Sequence, residues 1–185
     1  MIREYKEQPE LEELVVVVRE IWREYYTPLI GAAQVEYMLE HLQSVDAMTR
    51  QIAEENYRYY GVLCDGELAG YYAAKPAGGG CVFLSKFYVA AGFRGRGLGR
   101  EMLDHLIDAA RATGANTIRL TVHKYNRTVE LYRKLGFAIT EDIVADIGNG
   151  FVMDDYVMEM NIAASDSGLQ ASGDDTGVQN LKSEA

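Results

Sequence analysis

Between Leu11 and Tyr25 the apolar positions Leu11, Leu14, Val15, Val18, Trp22 and Tyr25 return at helical spacing, which predicts an amphipathic helix that starts near Pro9 and ends at Thr27-Pro28. Ile2 to Lys6, ahead of it, reads as a short strand. Val35, Met38, Leu39 and Leu42 mark a second helix, and Ser44 is the predicted N-cap of a third that ends near Glu55. From Tyr59 the period changes to two. Tyr59 to Cys64 and Glu67 to Lys75 flank Asp65-Gly66, a pair that tolerates the positive φ angles of a type I′ hairpin turn. Gly78, Gly79 and Gly80 interrupt the chain before a strand over Cys81 to Val89. Leu98, Met102, Leu106, Ile107 and Ala110 then share one helical face, with Gly114 as the stop. Ile118, Leu120 and Val122 alternate with polar residues in a further strand, and Thr128 to Leu135 is a short helix closed by Gly136. Ala138 to Ala145 and Phe151 to Met160 form a last hairpin. The order is mixed α/β and fits one domain over residues 1–162. Residues 163–185 are rich in Ser, Asp, Gly, Gln, Thr and Asn, with too little apolar surface to offset the entropy of ordering, so an acidic, disordered tail is expected.

Chemistry concentrates in Phe93-Arg94-Gly95-Arg96-Gly97-Leu98-Gly99-Arg100, between a predicted strand and a predicted helix. A glycine-rich turn entering a helix points backbone N–H groups into one concavity, and the helix N-terminus adds partial positive charge, so a phosphate is favoured there. Arg94, Arg96 and Arg100 reinforce that preference. A P-loop needs Lys-Ser/Thr after its final glycine, whereas Arg100-Glu101 follows Gly99. A dinucleotide fingerprint needs a third glycine that neither Gly95-x-Gly97 nor Gly97-x-Gly99 supplies.

The spelling that remains is Arg-x-x-Gly-x-Gly, met by Arg94, Gly97 and Gly99. Downstream, Asn126, Tyr132 and Gly136-Phe137 follow in order. On these two motifs and the element succession from Cys81 to Met160, the chain resembles the GNAT superfamily of acetyl-CoA-dependent N-acetyltransferases over roughly residues 2–162. The resemblance implies an α/β (α+β) fold. Its sheet would be mixed and mostly antiparallel, with a central parallel pair that splays apart, flanked by helices. It implies acetyl-CoA as cosubstrate, with backbone groups of Phe87, Tyr88 and Val89 for the pantetheine. The turn, Arg94, Gly95, Arg96, Gly97, Leu98, Gly99 and Arg100, would take the pyrophosphate, with Asn126 as a further coenzyme contact. Asn126 stands six residues before Tyr132 where many relatives have seven, so the helix between them is expected to start differently.

Acetyl transfer needs a neutral amine, since an alkylammonium with a pKa of about 10.4 has no lone pair to attack a thioester. The expelled thiolate benefits from a general acid, and the resemblance gives that role to Tyr132. Many relatives carry a glutamate base on the central strands, but Ser85, Thr121 and their neighbours include no carboxylate. His123 is one candidate for the base, through water, because its intrinsic pKa suits the task. Asp154 and Asp155 of the last hairpin, or an ordered water chain, are the alternatives. For the acceptor, Tyr25, Tyr26, Glu36, Tyr37 and Glu40 on the early helices and Asp154, Asp155 and Tyr156 on the hairpin are candidates to hold an alkylammonium by charge and cation-π contact. They fit a small-molecule amine such as a diamine or polyamine. The same fold also serves protein N-terminal and lysine amines, and a coenzyme-binding module without catalysis is the reading from another class.

Composition narrows the partners. With 28 acidic against 18 basic residues, the formal net charge of -10 disfavours nucleic acid and anionic membranes and suits a cationic ligand. No apolar run approaches the roughly 20 residues that span a bilayer, and the charged start leads into no secretory signal, so a cytoplasmic location is expected. Cys64 and Cys81 sit in apolar, strand-like segments and read as small hydrophobes, with neither a disulfide nor a metal site expected. Relatives of this kind often form dimers, which leaves a homodimer open.

Overall fold

A computed structural model describes residues 1–163. The elements in chain order are β1 (Ile2–Tyr5), α1 (Gln8–Ile30), α2 (Ala32–His41), α3 (Val45–Glu55), β2 (Arg58–Cys64), β3 (Glu67–Pro76), β4 (Cys81–Val89), a 3-10 turn (Ala91–Phe93), α4 (Leu98–Ala112), β5 (Thr117–His123), α5 (Thr128–Lys134), β6 (Ala138–Gly148) and β7 (Phe151–Asn161). The tail expected over residues 163–185 lies, Ala163 apart, outside the described residues.

The seven strands form one sheet in the order β1-β2-β3-β4-β5-β7-β6. Only β4 and β5 run parallel; the other neighbours are antiparallel. Alternation along the strands gives each face its own core. On one face Val82, Leu84, Ile118, Leu120 and Val122 pack against Leu98, Met102 and Leu106 of α4. On the other Tyr59, Tyr71 and Ala73 pack against Leu11, Leu14, Val18 and Trp22 of α1 and Val35 and Met48 of α2 and α3. Both faces bury largely apolar surface, whose removal from water holds the layers together.

Two features of β4 position the site. Its pairing with β5 ends at Leu84↔Leu120, after which the two strands separate. Its pairing with β3 passes from Ala74↔Leu84 to Ala73↔Lys86, which leaves Ser85 as the extra residue of a β-bulge. The bulge breaks the period of two: Val82 and Leu84 face α4, and Phe87 and Val89 resume that face three residues on. Lys86 and Tyr88 are thereby turned towards the α1–α3 side, where Lys86 lies over the rings of Tyr57 and Tyr59.

One expected boundary is corrected. Thr27-Pro28 does not end α1, which continues to Ile30 with Pro28 inside it. Pro28 lies in the final turn, where the missing N–H costs a single bond, and the N–H of Gly31 donates to Thr27 O at 3.0 Å to close the helix. Ser44 caps α3 as expected by accepting from Ala47 N at 3.2 Å. Asp65 and Gly66 both take positive φ, 54° and 86°, as the hairpin turn requires. Cys64 and Cys81 are free thiols, half-buried rather than fully enclosed as expected. No helix among the described residues is long and apolar enough to cross a membrane.

Candidate active site

The gap between β4 and β5 opens into a cavity of about 1130 Å³ that reaches from the start of α4 to α1–α3 and the β6–β7 hairpin. At its α4 end the chain leaves β4, makes the 3-10 turn and enters α4 through Gly95 and Gly97, both at positive φ (77° and 81°). A Cβ built on Gly95, Gly97 or Gly99 meets nothing within 4 Å, so the turn is an open cradle, its glycines serving backbone conformation and access. The first N–H groups of α4, at Leu98 and Gly99, precede any helical partner and are free to donate to an anion. These features fit a pyrophosphate.

Of the residues expected in the site, Phe87, Tyr88, Val89, Arg94, Gly95, Gly97, Leu98, Gly99, His123, Asn126 and Tyr132 line this one cavity. Arg96 and Arg100 do not: Arg96 reaches to Asp65, and Arg100 pairs with Asp104 one turn along α4. Arg94 makes a two-pronged ion pair with Glu24 of α1, at 3.1 and 3.0 Å, and donates to Val89 O. The arginine side chains are thus largely committed to protein acids, so what the turn itself offers an anion is backbone N–H groups.

Tyr132, on α5, packs its ring against Phe87 of β4 and Phe137. Burial pushes its phenol well above the usual tyrosine value, and the hydroxyls of Tyr26 and Tyr25 add to that. Such a group stays protonated at neutral pH, as a proton donor must. Asn126 is buried, and its Oδ1 accepts from Tyr25 Oη (2.6 Å), Thr128 N (2.9 Å) and Thr128 Oγ1 (2.7 Å). It therefore helps set the start of α5 and ties it to α1.

His123 is the last residue of β5 and is paired in register with Asp155 of β7, so both project to the α1–α3 side. Asp155 is only 6 % exposed, and its Oδ1 has no hydrogen-bond partner among the described residues. Burial raises its carboxyl above the ordinary aspartate range; His123 and Lys124 oppose the rise and Asp154 adds to it. Asp154 is tied to Lys124, over whose ammonium the Tyr156 ring also lies, so Asp155 is the hairpin acid that faces the cavity. Nearby, Tyr26 and Tyr88 share a hydroxyl–hydroxyl hydrogen bond of 3.0 Å, and burial pushes Tyr26 up to about 12.

Of the other residues expected to hold an ammonium, Tyr25 and Tyr26 line the cavity. Glu36 is bound to Arg23 on the outer surface, Glu40 lies beside that pair, and Tyr37 donates to Ile147 O at 3.1 Å. The sequence reading overlooked Lys86, which is 5 % exposed and lines the cavity. Burial pulls its ammonium down to about 7. Its one available signal was the three-residue step from Leu84 to Phe87, which announces the bulge.

A family model described as Acetyltransferase (GNAT) family matches residues 15–137. The streptothricin acetyltransferase of Streptomyces lavendulae is 37 % identical over 82 residues, which cover 43 % of each chain, so this chain matches less than half the length of that relative. Among solved structures, a PaiA N-acetyltransferase from Thermoplasma acidophilum in complex with coenzyme A superposes with a TM-score of 0.72 at 22 % identity. That match covers 87 % of this chain and 98 % of the other. A nourseothricin acetyltransferase superposes at 0.52 with 26 % identity, over 57 % and 65 %. A glycine cradle at the start of α4, a sheet splayed at the bulge of β4 and a family match across both place the chain in the GNAT family of acetyltransferases.

Proposed function

We propose that this chain transfers an acetyl group from acetyl-CoA to a primary amine of a small molecule. The observation that carries the reading is the meeting, in one cavity, of the glycine cradle, the Tyr132 phenol and a buried carboxylate without a hydrogen-bond partner at one oxygen. The relative named for streptothricin supports a small-molecule acceptor.

Acetyl-CoA supplies a thioester carbonyl open to attack by a neutral amine. Backbone groups of Phe87, Tyr88 and Val89 run alongside the pantetheine, and the turn from Gly95 to Arg100 holds the pyrophosphate. Asp155 binds the incoming ammonium and accepts its proton, a task helped by the rise that burial gives its carboxyl pKa. His123, its register partner, passes that proton to solvent. Tyr132 protonates the departing thiolate, and Tyr25 and Asn126 fix the helix that carries it. Aromatic faces of Tyr25 and Tyr26 flank the amine. Diamines and polyamines fall within this class of acceptor.

The test is incubation with acetyl-CoA and a panel of diamines, polyamines, amino sugars, aminocarboxylates and N-terminal peptides, with products identified by mass spectrometry. Acetylation confined to small amines is the expected result. Acetylation of the peptides alone would transfer the chain to the protein-modifying enzymes, and coenzyme binding without any product would make it a non-catalytic module.

A further inference from the structure

We infer that the acceptor is an aminocarboxylate, its ammonium held at Asp155 and its carboxylate at Lys86, in a subsite formed by Lys86, Ser85, Gln43 and the rings of Tyr57 and Tyr59. This deepens the proposed function and rests on it.

Two buried titratable groups, one basic and one acidic, face the same cavity, and each is penalised for carrying its charge without a partner. Asp155 has a bare Oδ1, and Lys86 Nζ donates only to Ser85 Oγ, at 3.0 Å, with no carboxylate in ion-pair range among the described residues. They do not neutralise each other: the charges that act on Lys86 are Glu55 and Lys75, and those on Asp155 are His123, Asp154 and Lys124. Glu55 itself is taken by Lys75 at 2.8 Å. A buried ammonium without an anion is costly, and charged side chains are rarely buried unless they are paired. The Tyr57 and Tyr59 rings, 4.9 and 5.6 Å from Nζ, offset part of that cost and hold the ammonium in place.

A second unpaired group lines the same cavity. Tyr59 Oη bonds to Gln51 Oε1, and Gln51 Nε2 donates to Leu42 O at 3.4 Å, which brings the chain around to Gln43. Gln43 is 4 % exposed, lines the cavity, and its Oε1 has no partner. Half a turn of its amide presents an N–H instead, so Gln43 and Lys86 together offer two donors to one carboxylate. A ligand with an ammonium at one end and a carboxylate at the other satisfies all three orphan groups. A polyamine satisfies Asp155 alone and brings a second positive charge against Lys86. ω-Amino acids of increasing length, starting with those of four to six carbons, are the acceptors to try.

The experiment compares kcat/KM for 5-aminopentanoate with that for pentylamine and 1,5-diaminopentane, in the wild-type chain and in Lys86→Met. The wild type is expected to favour the aminocarboxylate, and Lys86→Met is expected to lower the ratio of aminocarboxylate to pentylamine by about 10- to 100-fold, the loss of one charge-assisted hydrogen bond. Turnover of pentylamine or the diamine at least as fast as the aminocarboxylate, with a ratio unmoved by the variant, would overturn the inference and leave the acetyltransferase reading intact. If no amine consumes acetyl-CoA, the proposed function fails and calorimetric titration with 5-aminopentanoate judges the subsite. Saturable binding at least 10-fold weaker in Lys86→Met supports it; equal or absent binding in both proteins rejects it. Circular dichroism and coenzyme A binding of Lys86→Met establish that it is folded.

Discussion

Asp155 carries opposing demands of stability and function. Its carboxyl is buried beside His123 with one oxygen unpaired, and its pKa is raised in the folded chain. The protonated form therefore favours folding. That stabilisation is fully present below the unfolded pKa and is lost as pH rises through the higher folded pKa, so at neutral pH the charged Asp155 weakens the fold. Asp155→Asn is expected to raise the melting temperature at pH 7–8 by about 2–4 °C, as roughly 1 kcal/mol does for a chain of this size, and to lower kcat/KM. In the wild type, kcat/KM should rise with pH along a limb placed above the ordinary aspartate range, and the variant should lack that limb; a pH-rate profile of the two proteins checks both. Residues such as Asp155 were half legible in the sequence. The hairpin acids stood out as carboxylates near the end of β5, but nothing local separated Asp154, which Lys124 neutralises, from its neighbour, which alternation turns inward.

At the scale of elements, helix caps and turn chemistry were read well because they are local. Ser44, Asp65-Gly66 and Gly136 act where the spacing put them. The end of α1 was misplaced because a proline in a last turn gives up one hydrogen bond and Gly31 supplies the stop. The bulge at Ser85 shows a subtler limit: its trace is a single slip of phase from Leu84 to Phe87, and the slip carries Lys86 and Tyr88 onto the acceptor side. The glycine turn proposed for the pyrophosphate rests likewise on backbone shape. Gly97 at φ 81° caps α4 in the left-handed region with open space around it. Gly97→Ala is expected to cost about 1 kcal/mol of stability from φ alone and to raise the KM for acetyl-CoA several-fold, while the KM for the amine moves little. Steady-state kinetics with each substrate varied in turn distinguishes that outcome from general damage to the fold.

Across the whole molecule, the cavity is closed by contacts between segments about a hundred residues apart. Tyr25 of α1 donates to Asn126 ahead of α5, Gln34 of α2 to Val152 O, and Tyr37 to Ile147 O on the β6–β7 hairpin. These bonds bring the early helices, which the sequence shows only as amphipathic, onto the half of the chain that carries the motifs. Sequence patterns are local, so the fold class and the glycine-rich turn were legible, whereas the partners of Asn126, Asp155 and Lys86 were not. The central claim is that this assembled cavity delivers acetyl groups to an amine with Tyr132 as the acid. The most direct measurement is amine-dependent release of free thiol from acetyl-CoA by the wild-type chain and by Tyr132→Phe. The account predicts release by the wild type and a fall in kcat of about 100-fold or more in the variant, with coenzyme binding retained. Equal rates in the two proteins would contradict it.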